Sequence, residues 1–261
     1  MKIPVIQGVI ARRILVNYRV DPQVLARLLP APFRPKLIGG FGIAGICLIR
    51  LEAVRPRGVP AWIGLTSENA AHRIAVVWDE DGQPREGVYI PRRDTNRPFN
   101  TWAGGRIFPG IHTHATFAVM EAQDRYRVAL DSDDGRTHVL VEGGLAPALP
   151  PDSVFPSIAA ASAFFRPGAL GYSPTADARR VAGLELRTAN WRIEALAVDR
   201  VESSFFADRS LFPAGSAVFD CALLMRHIVH EWHNQGYRAC GPVAAGTGLS
   251  AAVSSGAGVA V

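Results

Sequence analysis

The run GFGIAGICLIRLEAV (40–54) limits the fold more than any other stretch. It is apolar on both faces and rich in small residues. A strand half-exposed to water alternates apolar with polar residues, so this run reads as a central strand. RIAVVW (73–78) is a second strand, and DEDGQ turns it toward a partner at EGVYI (86–90). HATFAVME, RYRVALDS and RTHVLVEG (114–143) read as three successive strands, with DDG (133–135) as a hairpin turn. Alternation over 184–206 gives one or two more.

Helices are few. In NYRVDPQVLARLLP (17–30) a short strand runs into a helix that Asp21 caps and Pro22 opens. Pro30 and Pro32 end it. DSVFPSIAAASAFF (152–165) is a second short helix, stopped by Pro167 and Gly168. Residues 218–233 fit a third. At about 100° per residue, Val218, Cys221, Leu224, Met225, Ile228, Val229 and Trp232 share one stripe, leaving Arg226, His227, His230 and His233 to solvent. The order within RHIVHEWH is H-x-x-H-E, which is not a zinc-protease spacing. The expectation is one α+β domain, mainly antiparallel β, over 1–240, followed by a flexible Gly/Ala/Ser-rich tail at 241–261.

A chain of 261 residues, nearly half of them apolar, suits one β-rich domain. The net charge of +5 is carried almost wholly by arginine, without a basic-aromatic motif, so nucleic acid is not an expected partner. Cys47, Cys221 and Cys240 are odd in number and widely spaced, which argues for a reducing cytoplasm rather than a disulfide framework. MKIPVIQGVIARR is too short and broken for a signal peptide, and the Gly/Ala/Ser tail is no membrane span.

Chemistry concentrates in PRRDTNRPFNTWAGGRIFPGIHTHATF (91–117), where Arg92, Arg93, Arg97 and Arg106 surround an aromatic, glycine-rich loop. Arginine offers a planar fork of donors to a carboxylate or phosphate. His112 and His114 form H-x-H and would share one face of a strand, either as acid–base groups or as two ligands of a metal whose third ligand is not identifiable. Glu68, in TSENAAHR at the mouth of a strand, is a further acid or base, with a surface loop glutamate as the plainer reading. No nucleophile elbow, Walker loop or dinucleotide fingerprint is present.

NYRVDPQVLARLLP, EAVRPRGVPAWIG, ENAAHRIAVVW, GRIFPGIHTHATF, FFRPGALGYSP, NWRIEALAVDRVESSFF and FDCALLMRHIVHEWH occur in an order that resembles the bacterial DUF2071 family. That family is placed with the acetoacetate decarboxylase-like superfamily. The resemblance spans about residues 10–238. It implies a cone-shaped antiparallel β-barrel with a central cavity and a few flanking helices. In the decarboxylases an aromatic-Pro pair precedes two lysines, one of which forms the Schiff base. Here Phe108-Pro109 is followed by Gly110 and Ile111, so Schiff-base chemistry is not expected. Glu68 matches the approximate place of a decarboxylase glutamate, and Arg73 and Arg106 match arginines usual in the family.

The expected function is binding of a small oxo-acid or related carbonyl compound, with acid–base chemistry by Glu68, His112 or His114. Arg73, Arg106 and Trp102 would hold the substrate. A non-catalytic binding protein and a metal enzyme using His112 and His114 are the alternatives. No cofactor, resident metal or membrane is expected, and assembly into a homo-oligomer is left open.

Overall fold

A computed structural model describes residues 4–104 and 110–243. In chain order the elements are β1 (Ile6–Val20), α1 (Pro22–Arg27), β2 (Arg34–Pro35), β3 (Leu37–Ile38), β4 (Phe41–Pro56), β5 (Leu65–Glu80), β6 (Gln83–Thr95) and α2 (Pro98–Ala103). There follow β7 (His112–Ala122), β8 (Arg125–Ser132), β9 (His138–Ala146), α3 (Ile158–Phe165), β10 (Leu170–Pro174), β11 (Arg180–Thr188), β12 (Glu194–Ser203), α4 (Ser204–Ala207) and β13 (Ala217–Ala239). All pairings are antiparallel except β6 with β7 and β6 with β10.

Local chemistry sets the corners. Asp21 accepts hydrogen bonds from the backbone N–H groups of Gln23 and Val24 at 2.7 and 3.4 Å, and Pro22 opens α1. The β5–β6 hairpin turns through Asp81 and Gly82 at φ 50° and 73°, the left-handed pair a two-residue turn needs. The DDG segment turns β8 into β9.

Strands β13, β1, β4, β5 and β6 lie side by side and form a wall. β7, β8, β9 and β12 run from β6 back to β13 and close a ring over one face. β10 and β11 bridge the same two strands and close a second ring. Two cores result. Ile14, Val16, Ala44, Ile46 and Leu48 pack into the first, with Val128, Val141 and Trp78. Leu15, Ile43, Cys47, Leu223 and Met225 pack into the second, with Phe164 and Phe165 of α3. This is why residues 40–54 are apolar on both faces. Their small residues are needed too: a Cβ on Gly45 would lie 2.1 Å from the Val16 carbonyl oxygen.

Two expectations fail. Residues 218–233 are not a helix but part of β13, paired with β1 from Ala217 to Trp232. Asp220 through Met225 are buried in succession because the wall is covered on both sides. An unbroken apolar run satisfies a 3.6-residue period as well as a strand's, so the helical stripe fitted without being real. The histidines then part company. His227 takes φ 52° and is exposed, His230 is buried, and the His233 ring bonds Glu231 at 2.8 Å. Glu68 does not precede a strand either. It lies within β5 and is buried.

Candidate active site

Along β5, side chains alternate between the two cores. Ser67, Asn69 and Ala71 face a cavity of about 510 Å³. Ile49 and Leu51 of β4, Leu184 of β11 and Trp232 of β13 give it an apolar interior, and Phe99 and Ile63 stand at its edge. Its polar lining includes Ser67 and Asn69 of β5, Arg55, Asn100 and Asp94, the last paired with Arg92, and two groups on neighbouring strands stand out. Arg93 of β6 is paired in parallel register with His112, the first residue of β7.

The His112 ring is fixed from behind. Its Nδ1 lies 3.1 Å from the Gly110 carbonyl oxygen, and a carbonyl can only accept, so Nδ1 carries the hydrogen. Nε2 is then the basic atom of the neutral ring, and it has no hydrogen-bond partner among the described residues. Burial, and then the Arg93 charge, push the ring's pKa down to about 3. Arg93 itself is lowered to about 10 by burial, and its Nε donates to Ser173 Oγ at 3.1 Å. Among the described residues it has no carboxylate partner. A cation without a counter-ion beside a neutral imidazole, on an apolar cavity, suits a small anion.

The other candidate residues lie elsewhere. His114 bonds Asp133 at 2.8 Å near the β8–β9 turn and does not line the cavity. Among the described residues no group of three or more His, Cys, Asp or Glu side chains is placed to hold a metal ion. Glu68 faces the first core, where it accepts from Arg12 Nη2 at 2.5 Å and Arg50 Nε at 2.6 Å, and Arg12 also pairs with Glu121. Arg73 lines a separate, smaller cavity. Trp102 is exposed on α2, with its ring centroid 6.0 Å from that of Phe99. Arg106, Phe108 and Pro109 lie outside the described residues. Arg92, next to Arg93 in sequence, turns the other way and pairs with Asp94 and Asp134 at 2.7 and 2.9 Å.

Gly110 explains more than a missing amine. It sits at φ 87°, and a Cβ there would meet Arg93 Nε at 2.9 Å and Ser173 Oγ at 3.1 Å. The arginine and serine fill the space a side chain would need. Gly110→Lys is therefore expected to strain the site without creating a Schiff base. Borohydride treatment with pyruvate should leave the variant's mass unchanged, and a trapped adduct would refute this reading.

The fold has solved relatives. An acetoacetate decarboxylase from Legionella pneumophila superposes with a TM-score of 0.61 at 11% identity, covering 90% of this chain and 87% of that one. An acetoacetate decarboxylase-like enzyme from Sphingomonas wittichii gives 0.58 at 12%, covering 92% and 93%. The enduracididine biosynthesis enzyme MppR, complexed with pyruvate, gives 0.56 at 11%, covering 92% and 91%. At these identities the likeness is one of fold. No curated protein sequence matches the chain. The DUF2071 family model, described as an uncharacterised conserved protein, matches residues 10–222, and the chain belongs to that family.

Proposed function

We propose that the chain binds a small oxo-acid or related carbonyl compound in the His112 cavity and moves a proton on it without a covalent amine adduct. In this reading the larger cavity is that of the superfamily's cone-shaped barrel, and the protein works in the cytoplasm with its three cysteines free. The observation that carries it is the pairing of Arg93, which lacks a carboxylate partner among the described residues, with a neutral His112 whose tautomer Gly110 fixes. A fold neighbour complexed with pyruvate supports the ligand class.

Arg93 would take the substrate carboxylate, and Nε2 of His112 would accept a proton from the carbon beside the carbonyl. An imidazole with a pKa of about 3 is a weak base. Burial is the main cause of that low value, and a carboxylate bound to Arg93 would offset only the smaller part that the Arg93 charge contributes, raising the basicity in the complex by that part. Of the residues proposed from sequence, His112 keeps its catalytic assignment, and the substrate's anion passes from Arg73 to Arg93.

Deuterium exchange into the methyl group of pyruvate, followed by proton NMR, tests this directly. Wild type should exceed the buffer rate, and His112→Ala should lose roughly 100-fold or more of the excess. The free-enzyme rate should stay flat from about pH 8 down to about 5, with no loss near the ordinary histidine pKa, because a ring lowered to about 3 stays neutral across that range. Binding without exchange would leave a non-catalytic binding protein, the second reading, which the weak base favours. Neither binding nor exchange across an oxo-acid panel would overturn both.

A further inference from the structure

The second core holds another cavity, of about 220 Å³, that shares no lining residue with the first. It continues along the same faces of β5 and β11: Arg73 and Ala75 follow Ala71, and Leu186 follows Leu184. Four cations line it, Arg13, Lys36, Arg73 and Arg166, against a single carboxylate, Glu86. Glu86 is already taken by Lys36 at 2.5 Å.

The arginines have no such partner. Among the described residues, Arg13 donates only to Cys47 Sγ at 3.0 Å, and Arg73 only to the Asn17 side-chain oxygen. Arg73 is 4% exposed, and its buried Nε makes no hydrogen bond. Its guanidinium lies 4.9 Å from the Phe165 ring centroid, a contact that compensates only part of the lost hydration. Burial pulls its pKa down to about 10. A buried cation without a counter-ion is destabilising unless something supplies the charge. The opposite wall is aromatic. Phe164 and Phe165 come from α3, and Trp191 is held by a 2.8 Å bond from its Nε1 to Ser162 Oγ.

We propose that this cavity is a second binding site, for a small organic anion. Its carboxylate or phosphate would lie between Arg13, Arg73 and Arg166, and its apolar body against Phe165 and Trp191. Guanidinium forks suit either headgroup. The site does not depend on the reading of the His112 cavity.

Calorimetric titration of the whole protein with phenyl phosphate and with benzoate tests it, with benzyl alcohol as the uncharged control. At least one anion should bind and the alcohol should not. Arg73→Met should weaken binding about tenfold or more. Arg166→Ala, at an exposed position, gives the same comparison if the buried variant does not fold. His112→Ala should bind the anion as wild type does, which separates this site from the larger cavity. No binding of either anion, binding unaltered by the arginine changes, or loss of binding in His112→Ala would overturn the proposal.

Discussion

Urea titrations at about pH 7, 6 and 5 should show stability falling steeply as the solution becomes acid. Two buried histidines and a third, half-buried one set the slope. His72 has neither ring nitrogen hydrogen-bonded and lies against Phe205, with ring centroids 4.7 Å apart. Burial, and then Arg92, push its pKa down to about 3. His230 likewise has no hydrogen bond to either ring nitrogen and meets the Trp232 ring edge-on, with centroids 4.5 Å apart and its pKa lowered to about 4 chiefly by burial. His112 is the third, at about 3. In the unfolded chain each takes up a proton near 6.5. Below that pH the unfolded chain binds protons that the folded one refuses, so stability is lost as pH falls from about 6.5 toward 4. Each histidine contributes roughly 1.4 kcal/mol per pH unit in that window, about 4 kcal/mol for three. Asp94, whose pKa burial raises, opposes this by at most one proton. A domain holding about 5–10 kcal/mol, the lower part of the usual range, would unfold near pH 5 to 4. His72→Leu together with His230→Leu should flatten the dependence. A midpoint unchanged between pH 7 and 5 would show that these rings are not buried as neutral groups.

Glu68→Gln should lower stability by about 3–5 kcal/mol, the usual result of removing one partner from a buried ion pair. Arg12 is 2% exposed, and its Nε already lacks a partner. Losing Glu68 leaves it only Glu121, and leaves Arg50 with the same single carboxylate. The Arg50 guanidinium, now held above its ordinary pKa against burial by its bond to Glu68, would lose that support. Arg12→Met with Glu68→Leu should recover much of the loss, because the partners leave together. If Glu68→Gln left the urea midpoint in place and abolished proton exchange on pyruvate, the acid–base role read from sequence would stand instead.

Glu68 also shows where sequence reading stops. Its position in the chain was visible, but not which side of β5 it faces. That depends on register, and Ser67 and Asn69 took the cavity side. Capping and turn chemistry were legible because Asp21-Pro22 and Asp81-Gly82 act within a few residues. The central strand at 40–54 was legible because its apolar run carries glycines, which disfavour a helix. β13 was not, since the cover that buries both its faces comes from strands far off in the sequence. The larger cavity was half legible: Arg93 and His112 lie in one conspicuous segment, but their pairing is a parallel contact between β6 and β7. The smaller cavity left no trace, because Arg13, Lys36, Arg73 and Arg166 come from four separate parts of the chain.

The wall has a further consequence during synthesis. β1 is among the first strands to leave the ribosome, and its partner β13 is the last of the described strands to do so. At about 5–20 residues per second, roughly ten to forty seconds separate them. Throughout that interval β1 and β4 offer an unpaired edge and two apolar faces, and neither ring can close. Protection from aggregation is thus a demand of the growing chain. The finished fold, with both rings closed, no longer makes it.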